Sequence, residues 1–167
     1  MLLPVLALET STPVCSVALH DGTRLRQRYI SGPGVHSENV FVFVQELLDE
    51  SGLGIRELGA LLVSAGPGSY TGLRIASSAA KGLLFGTSVP LVAVETLAGI
   101  AAGAAKAATP AGRIHAVINA RRPHLYHQTF EACEAAAPRP VSRAALLTLA
   151  DIRARFRPAD LLAGTGS

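Results

Sequence analysis

The chain lacks what would place it in a membrane. No stretch reaches the roughly 18 uninterrupted apolar residues of a spanning helix, because Glu9, Arg74, Lys81 and Glu95 interrupt the longest ones. Met1–Leu8 is apolar, but it has neither a basic leader nor a small-residue cleavage site, so a cytoplasmic protein is expected. Its two cysteines, Cys15 and Cys133, have no Cys-x-x-Cys spacing, which argues for inert thiols rather than a disulfide or a nucleophile. Charged residues make up only 16% of the chain against 49% apolar, which excludes disorder and fits one or two small cores.

Several reactive motifs are also missing. The glycine-rich stretch has no Gly-Lys-Ser/Thr and no Gly-x-Gly-x-x-Gly, so neither a P-loop nor a dinucleotide fingerprint is present. Pro67 stands two residues before Ser69, where a nucleophile elbow requires glycine. His36 precedes a long helix, but one turn on stands Val40 instead of a second ligand, which favours a capping or surface role over metal binding. The net charge of +3 is uneven: residues 106–167 carry nine basic and four acidic side chains, residues 1–105 six and eight. Those later arginines have no interleaved aromatics and no recognition motif, and a solvated surface is the simpler reading.

What is present reads as an α/β chain. Strands are expected over Leu3–Glu9, Val14–His20 and Thr23–Ile30, the last with Arg24, Arg26 and Arg28 on one wet face. A helix from about Ser37 stops at Gly52, a strand runs over Ala60–Ala65, and a helix from Thr71 reaches about Phe85. Leu91–Val94 reads as a strand and Glu95 to about Ala107 as a helix. Ala108–Gly112 has linker composition; strands over Ile114–Ala120 and Leu125–Glu131, a helix over Leu146–Arg155 and a strand from Leu161 come after it. The implied architecture is a mixed sheet flanked by helices over residues 1–107, with residues 108–167 beginning a second subdomain that ends early.

Two places carry candidate chemistry. Glu9, Thr10 and Ser11 close the first strand at the sheet edge where α/β proteins commonly place ligands. The turn Gly66-Pro67-Gly68-Ser69-Tyr70-Thr71-Gly72 leads from strand to helix, and its backbone N–H groups with the helix dipole suit a phosphate or carboxylate. The same turn serves equally as a tight strand-to-helix connection. The third clue is apolar. Val40, Phe41, Phe43, Val44, Leu47 and Leu48 span a helical arc wider than one sheet contact requires, and Val42 falls among the polar positions. That face, extended by Leu73, Ala76, Ala80, Leu83 and Leu84 on the next helix, suits a partner surface as well as a core.

Four motifs in order and spacing resemble one family: Glu9-Thr10-Ser11-Thr12 with Cys15–Leu19, His36-Ser37-Glu38, Gly66–Arg74, and Ala80-Lys81-Gly82-Leu83. That family is TsaB, formerly YeaZ. Asn119-Ala120-Arg121-Arg122 with Tyr126 and Gly164-Thr165-Gly166 are weaker matches. The resemblance implies an actin-like ATPase fold of the Hsp70/hexokinase type, and a role in forming N6-threonylcarbamoyladenosine at position 37 of tRNAs that read codons beginning with adenine. It further implies a non-catalytic subunit: a TsaD-like relative carries metal and catalysis, a TsaE-like ATPase joins, and tRNA is reached through the complex. The glycoprotease label belongs to that relative and does not carry over. No metal or cofactor of its own is implied, with ATP or ADP bound only in the complex, and a homodimer is expected when the chain is alone. Glu9 and Asn119 stand where the family usually has aspartate, and Pro123-His124 where Gly-Glu is common. The alternatives from other classes are an ATPase or phosphotransferase of the same fold using Glu9, Thr10 and the 66–72 turn, and a metallopeptidase with His36 as ligand.

Overall fold

The computed structural model describes residues 3–108, 112–120, 123–133 and 136–165. Its packing separates into two compact units, Met1–Val94 and Glu95–Ser167.

The first unit is built on a five-stranded sheet in the order β3-β2-β1-β4-β5. Strands β1 (Val5–Glu9), β2 (Val14–His20) and β3 (Leu25–Ser31) form an antiparallel meander, each joined to the last through a short turn. Strands β4 (Ala60–Ser64) and β5 (Leu91–Val94) add in parallel, which requires crossover connections. Helix α1 (Val35–Ser51) makes the first crossover and α2 (Tyr70–Leu84) the second. This arrangement is a mixed sheet with helical crossovers, as the sequence implied. Period-two alternation decides which residues enter the core: Leu6, Leu8, Cys15, Val17 and Leu19 point to one face and meet Val40, Val44 and Leu47 of α1 and Ala76, Ala79 and Ala80 of α2. Gly52, at φ 67°, ends α1, its N–H returning to the carbonyls of Asp49 and Leu48.

The faces of β3 are the reverse of the expected ones. Arg26 and Arg28 are its half-buried residues; Arg28 bonds Glu46 at 3.0 Å and also pairs with Glu50, both on α1. Leu25 and Tyr29 are the exposed ones. The acidic side of α1 draws Arg28 over the helix while Asp21 of the preceding turn holds Arg26, and their apolar neighbours turn outward.

The second unit starts with α3 (Thr96–Ala107), so the division falls at Val94/Glu95 rather than at 107/108. The cause is packing, since Leu97 and Ala101 of α3 form a core with Ile114, Ala116, Ile118 and Phe130. Strands β6 (Arg113–Asn119) and β7 (His124–Glu131) are an antiparallel pair. The two-residue β8 (Arg139–Pro140) and β9 (Ala145–Thr148) join β7, and β10 (Leu161–Gly164) runs parallel to β6. The helix expected over Leu146–Arg155 is therefore half strand. Thr148 caps the short α4 (Leu149–Arg153) in a reciprocal box with Asp151, which delays the helix until after Leu147.

On the sheet face opposite Ile114 and Ala116 lies a buried polar chain. His115 Nε2 donates to Asp160 Oδ2 at 3.0 Å, His115 Nδ1 lies 2.9 Å from His127 Nε2, and the Phe156 ring stacks 4.6 Å from His115. Asp160 stays below the usual carboxylate range. Its desolvation, which acts the other way, is outweighed by the N–H groups of Arg113 and Arg157 and by His115. Burial, together with the charges of His115 and Arg155, pushes His127 down to about 4. The unfolded chain binds a proton at His127 near pH 6.5 and the folded chain only near 4, so this contribution to stability is complete above about pH 6.5 and falls away as pH drops toward 4. Denaturant melts at pH 7 and pH 5 should show loss of stability at the lower pH in the second unit, and His127→Gln should flatten that dependence.

Candidate functional site

The sheet edge at the end of β1 is assembled from the residues singled out in the sequence. The Glu9 carboxylate takes three donors from its own chain: Oε1 accepts from Ser11 N and Ser11 Oγ, each at 2.5 Å, and Oε2 accepts from Ser64 Oγ at the end of β4. Thr10, buried, donates from Oγ1 to the Gly72 carbonyl at 2.7 Å. Ser69 N donates to the Ser11 carbonyl at 2.7 Å, and Ser69 Oγ accepts from Gly72 N as the cap of α2. The loop after β1 and the first turn of α2 are thus stitched backbone to backbone.

That seam explains two glycines. A Cβ on Gly72 would come within 1.8 Å of the Thr10 carbonyl oxygen, and one on Gly68 within 2.5 Å of that of Ser11. Gly66 instead serves the turn itself, at φ 102°. The sequence therefore marks a place where two backbones touch. Of the residues read as a phosphate site, Glu9, Thr10, Ser11, Gly68, Ser69 and Gly72 come together, and the bonds described run to one another and to Ser64. Thr71 departs from the group and lines a cleft between α1 and α2.

His36 joins the same seam from the other side. Its Nε2 lies 2.8 Å from the Thr12 carbonyl and donates to it, while its own carbonyl accepts from Cys15 Sγ at 3.9 Å. The histidine ties the start of α1 to the β1–β2 turn, a positioning role rather than a ligand's geometry. Cys15 is buried, and burial, with a smaller effect from the nearby Glu9 charge, raises its thiol above the ordinary value, which makes it a poor nucleophile.

The apolar helical face divides in two. Val44 and Leu48 of α1 and Ala76 and Ala80 of α2 are buried in the unit's own core and cannot present themselves to a partner, which corrects the sequence reading. Phe43, Leu83 and Leu84 are partly buried and pack on that core, and Leu73 is half-buried. Phe41 and Val42 stay outside, 51% and 49% exposed. Phe41 borders a cleft of about 380 Å³ between the two helices, whose walls include Ser37, Tyr70, Arg74, Ile75 and Ser78. Tyr70 is exposed with the Arg74 guanidinium over its ring, and Phe85 just past α2 is 89% exposed. Tyr70 and Phe85 were missed because the first reads as part of the glycine turn and the second as a helix end. Their signal was an aromatic at each end of one apolar helix.

In the second unit Tyr126 is half-buried on the α3 core, and Asn119 N lies 3.4 Å from Thr165 Oγ1. Gly164, at φ 130°, permits another close approach, since its Cβ would lie 1.9 Å from the Val117 carbonyl oxygen. Arg121, Arg122 and Gly166 of the weaker motifs lie outside the described residues. Among the described residues no cluster of three or more His, Cys, Asp or Glu has a metal-holding arrangement, and no helix is long and apolar enough to cross a membrane.

Comparison with known proteins bears on this geometry. The family model described as TsaD, tRNA N6-adenosine threonylcarbamoyltransferase, matches residues 34–149. The tRNA threonylcarbamoyladenosine biosynthesis protein TsaB of Escherichia coli K12 is 35% identical over 127 residues, covering 76% of this chain and 54% of that one. The TsaB of Haemophilus influenzae is 36% identical over 125 residues, covering 74% and 52%. A solved structure of YeaZ from Pseudomonas aeruginosa superposes with a TM-score of 0.87 at 34% identity, over 98% of this chain and 76% of that one. The chain spans about half the length of these curated relatives.

The seam makes a stability prediction. Gly72→Ala should destabilise the first unit by about 3 kcal/mol or more, the upper range of core overpacking, because the clash is with backbone rather than with a side chain that can turn away. Gly82→Ala, where a Cβ meets nothing within 4 Å, should leave stability unchanged or raise it. Chemical denaturation of the two variants side by side measures the difference.

Proposed function

The chain belongs to the TsaB (YeaZ) family, and from that premise we propose that it is a non-catalytic partner subunit in the formation of N6-threonylcarbamoyladenosine in tRNA. It acts by lending the outer α1–α2 face to a TsaD-like catalytic subunit. The observation that carries this reading is the exposed aromatic pair Phe41 and Tyr70 at the interhelical cleft, with Val42 and Phe85 also exposed on or just past helices whose inner sides are already committed to the core. An apolar rim over a rigid core is the form a protein-protein contact takes.

The same surface pairs two copies when the chain is alone, since a self-complementary apolar face gives a closed dimer. A TsaE-like ATPase joins the pair, ATP or ADP binds only in that assembly, tRNA is met through the complex, and the setting is the cytoplasm. An independent ATPase or phosphotransferase is the weaker reading, because both Glu9 oxygens are engaged by serines of the chain itself. His36, donating to a backbone carbonyl, gives no support to a metallopeptidase.

The test is reconstitution. Threonylcarbamoyladenosine in tRNA is measured with TsaD-like and TsaE-like proteins, with and without this chain; modification should depend on adding it, and equal yield without it would refute the reading. Phe41→Glu should abolish co-purification with the TsaD-like subunit, a loss of about 2 kcal/mol or more, roughly thirtyfold in Kd. Its own stability should move by no more than about 0.5 kcal/mol, because the position is exposed.

A further inference from the structure

The two helices of the first unit divide charge between them by sign. Helix α1 contains Glu38, Glu46, Asp49 and Glu50 and no lysine or arginine, whereas α2 contains Arg74 and Lys81 and no acidic residue. Glu46 and Glu50 are turned to Arg28 of the sheet. That leaves Glu38 and Asp49 on one helix and Arg74 and Lys81 on the other, all four exposed and none in an ion pair among the described residues. Their spacing follows the outer side of each helix. Glu38, Val42, Gln45 and Asp49 recur at the same intervals as Arg74, Ser78, Lys81 and Phe85, and every one of these residues is exposed, so each series forms a single outward stripe.

Both helices cross over between parallel strands on one face of the sheet, so they run side by side in the same direction. Ser37 and Phe41 share the cleft with Tyr70, Thr71 and Arg74, which sets the first turns of α1 and α2 at one level. Two copies can then meet face to face about a twofold axis in two ways. An axis across the helices lays α1 on α1 and α2 on α2, acid on acid and base on base. An axis along them lays α1 of each copy on α2 of the other, and acid meets base twice. Exposed, solvated charges add little to affinity, but juxtaposed like charges oppose association and fix its register. The apolar residues hold the contact, and the charges choose its orientation.

We propose that a second copy of this chain docks on the α1–α2 face with the twofold axis along the helices, so that acidic α1 of each copy lies on basic α2 of the other. The shared level sets the turn of Glu38 against that of Arg74 and brings Asp49 within a turn of Lys81. Phe41 and Val42 of each copy cover α2 of the other between the levels of Tyr70 and Ser78. Such a contact is closed, because the same two halves are used on both sides. The proposal rests on the reading above that this face is the docking surface, and it adds which half meets which.

Self-association of the full chain is measured by analytical ultracentrifugation as salt is raised. The unaltered chain should dimerise, and its dimer should weaken about tenfold between about 50 and about 500 mM salt, since screening removes the attraction of acid for base. In the other orientation salt screens a repulsion, so the dimer would tighten. A second measurement uses the chain with its charges exchanged: Glu38→Arg, Asp49→Lys, Arg74→Glu and Lys81→Glu together, with circular dichroism to confirm folding. This variant should dimerise with itself and not with the unaltered chain, because a mixed pair sets like charges together on both sides. Tagged and untagged chains mixed and separated by affinity report that sorting. A monomer at every salt concentration, a dimer that salt leaves unchanged or tightens, or mixed dimers of the two chains overturns the proposal. The salt titration needs no variant, so a misfolded exchange leaves it decisive. A monomeric chain that still supports modification in the reconstitution refutes this pairing and spares the subunit role, whereas a dimer that sorts as stated stands even where reconstitution fails.

Discussion

The first unit depends on one close contact, the Thr10 and Ser11 backbone lying against the first turn of α2. Two glycines without side chains make the approach possible, and two bonds hold it, Thr10 Oγ1 to the Gly72 carbonyl and Ser69 N to the Ser11 carbonyl, while Gly72 N to Ser69 Oγ caps the helix on its own side. Glu9 secures the other side by bridging Ser11 and Ser64, which joins the ends of neighbouring parallel strands. His36 extends the same junction to α1 through the Thr12 carbonyl. One knot of polar contacts therefore sets where both helices leave the sheet edge. The cleft between α1 and α2 inherits its position from that knot, so chemistry read as ligand binding contributes to a docking surface by fixing its frame.

A carboxylate at this sheet edge can face outward to a bound group or inward to its own chain. Glu9 does the latter. Its extra methylene relative to aspartate gives it the reach to bond Ser64 on the neighbouring strand and Ser11 two residues ahead at once. Three hydrogen bonds to ionised oxygens are a strong arrangement, and a group so occupied must give them up before it can serve a nucleotide. The consequence is a division of labour within the first unit. The sheet edge holds the fold together, and the face still open for recognition is the apolar one beyond it.

Much of this was legible because local rules and packing agree. The alternation in Val14–His20 and the glycine stop at Gly52 each have one local solution, and the tertiary structure uses it. Where two solutions compete, sequence falls short. Leu146-Leu147 suits a helix, but Thr148 caps only the turn that begins at Leu149, and β7 offers the two leucines a partner strand. A wide apolar arc on α1 is legible as an arc, but the boundary between its core half and its exposed half depends on where α2 lies. Val44 and Leu48 thus went inside while Phe41 stayed out. Arg28 of β3 reversed its expected setting because Glu46 and Glu50, distant in sequence, pair with it, and Arg26 is held on the same side by Asp21.

The histidines of the second unit show how a site hides in a register. His115 stands opposite Thr129 and His127 opposite Val117, so the two are diagonal neighbours on one face of the β6–β7 pair, close enough for their rings to bond. Nothing in their spacing of twelve residues announces this; the hairpin register does, and Asp160 arrives from beyond α4 to complete the chain. Held between a carboxylate and a second imidazole, His115 can donate from Nε2 while Nδ1 either accepts from His127 or donates to it. Protons on both facing nitrogens would set two N–H groups against each other. This conflict agrees with the lowered His127 value, while the segment bearing Phe156 and Asp160 is tied to the second sheet through His115.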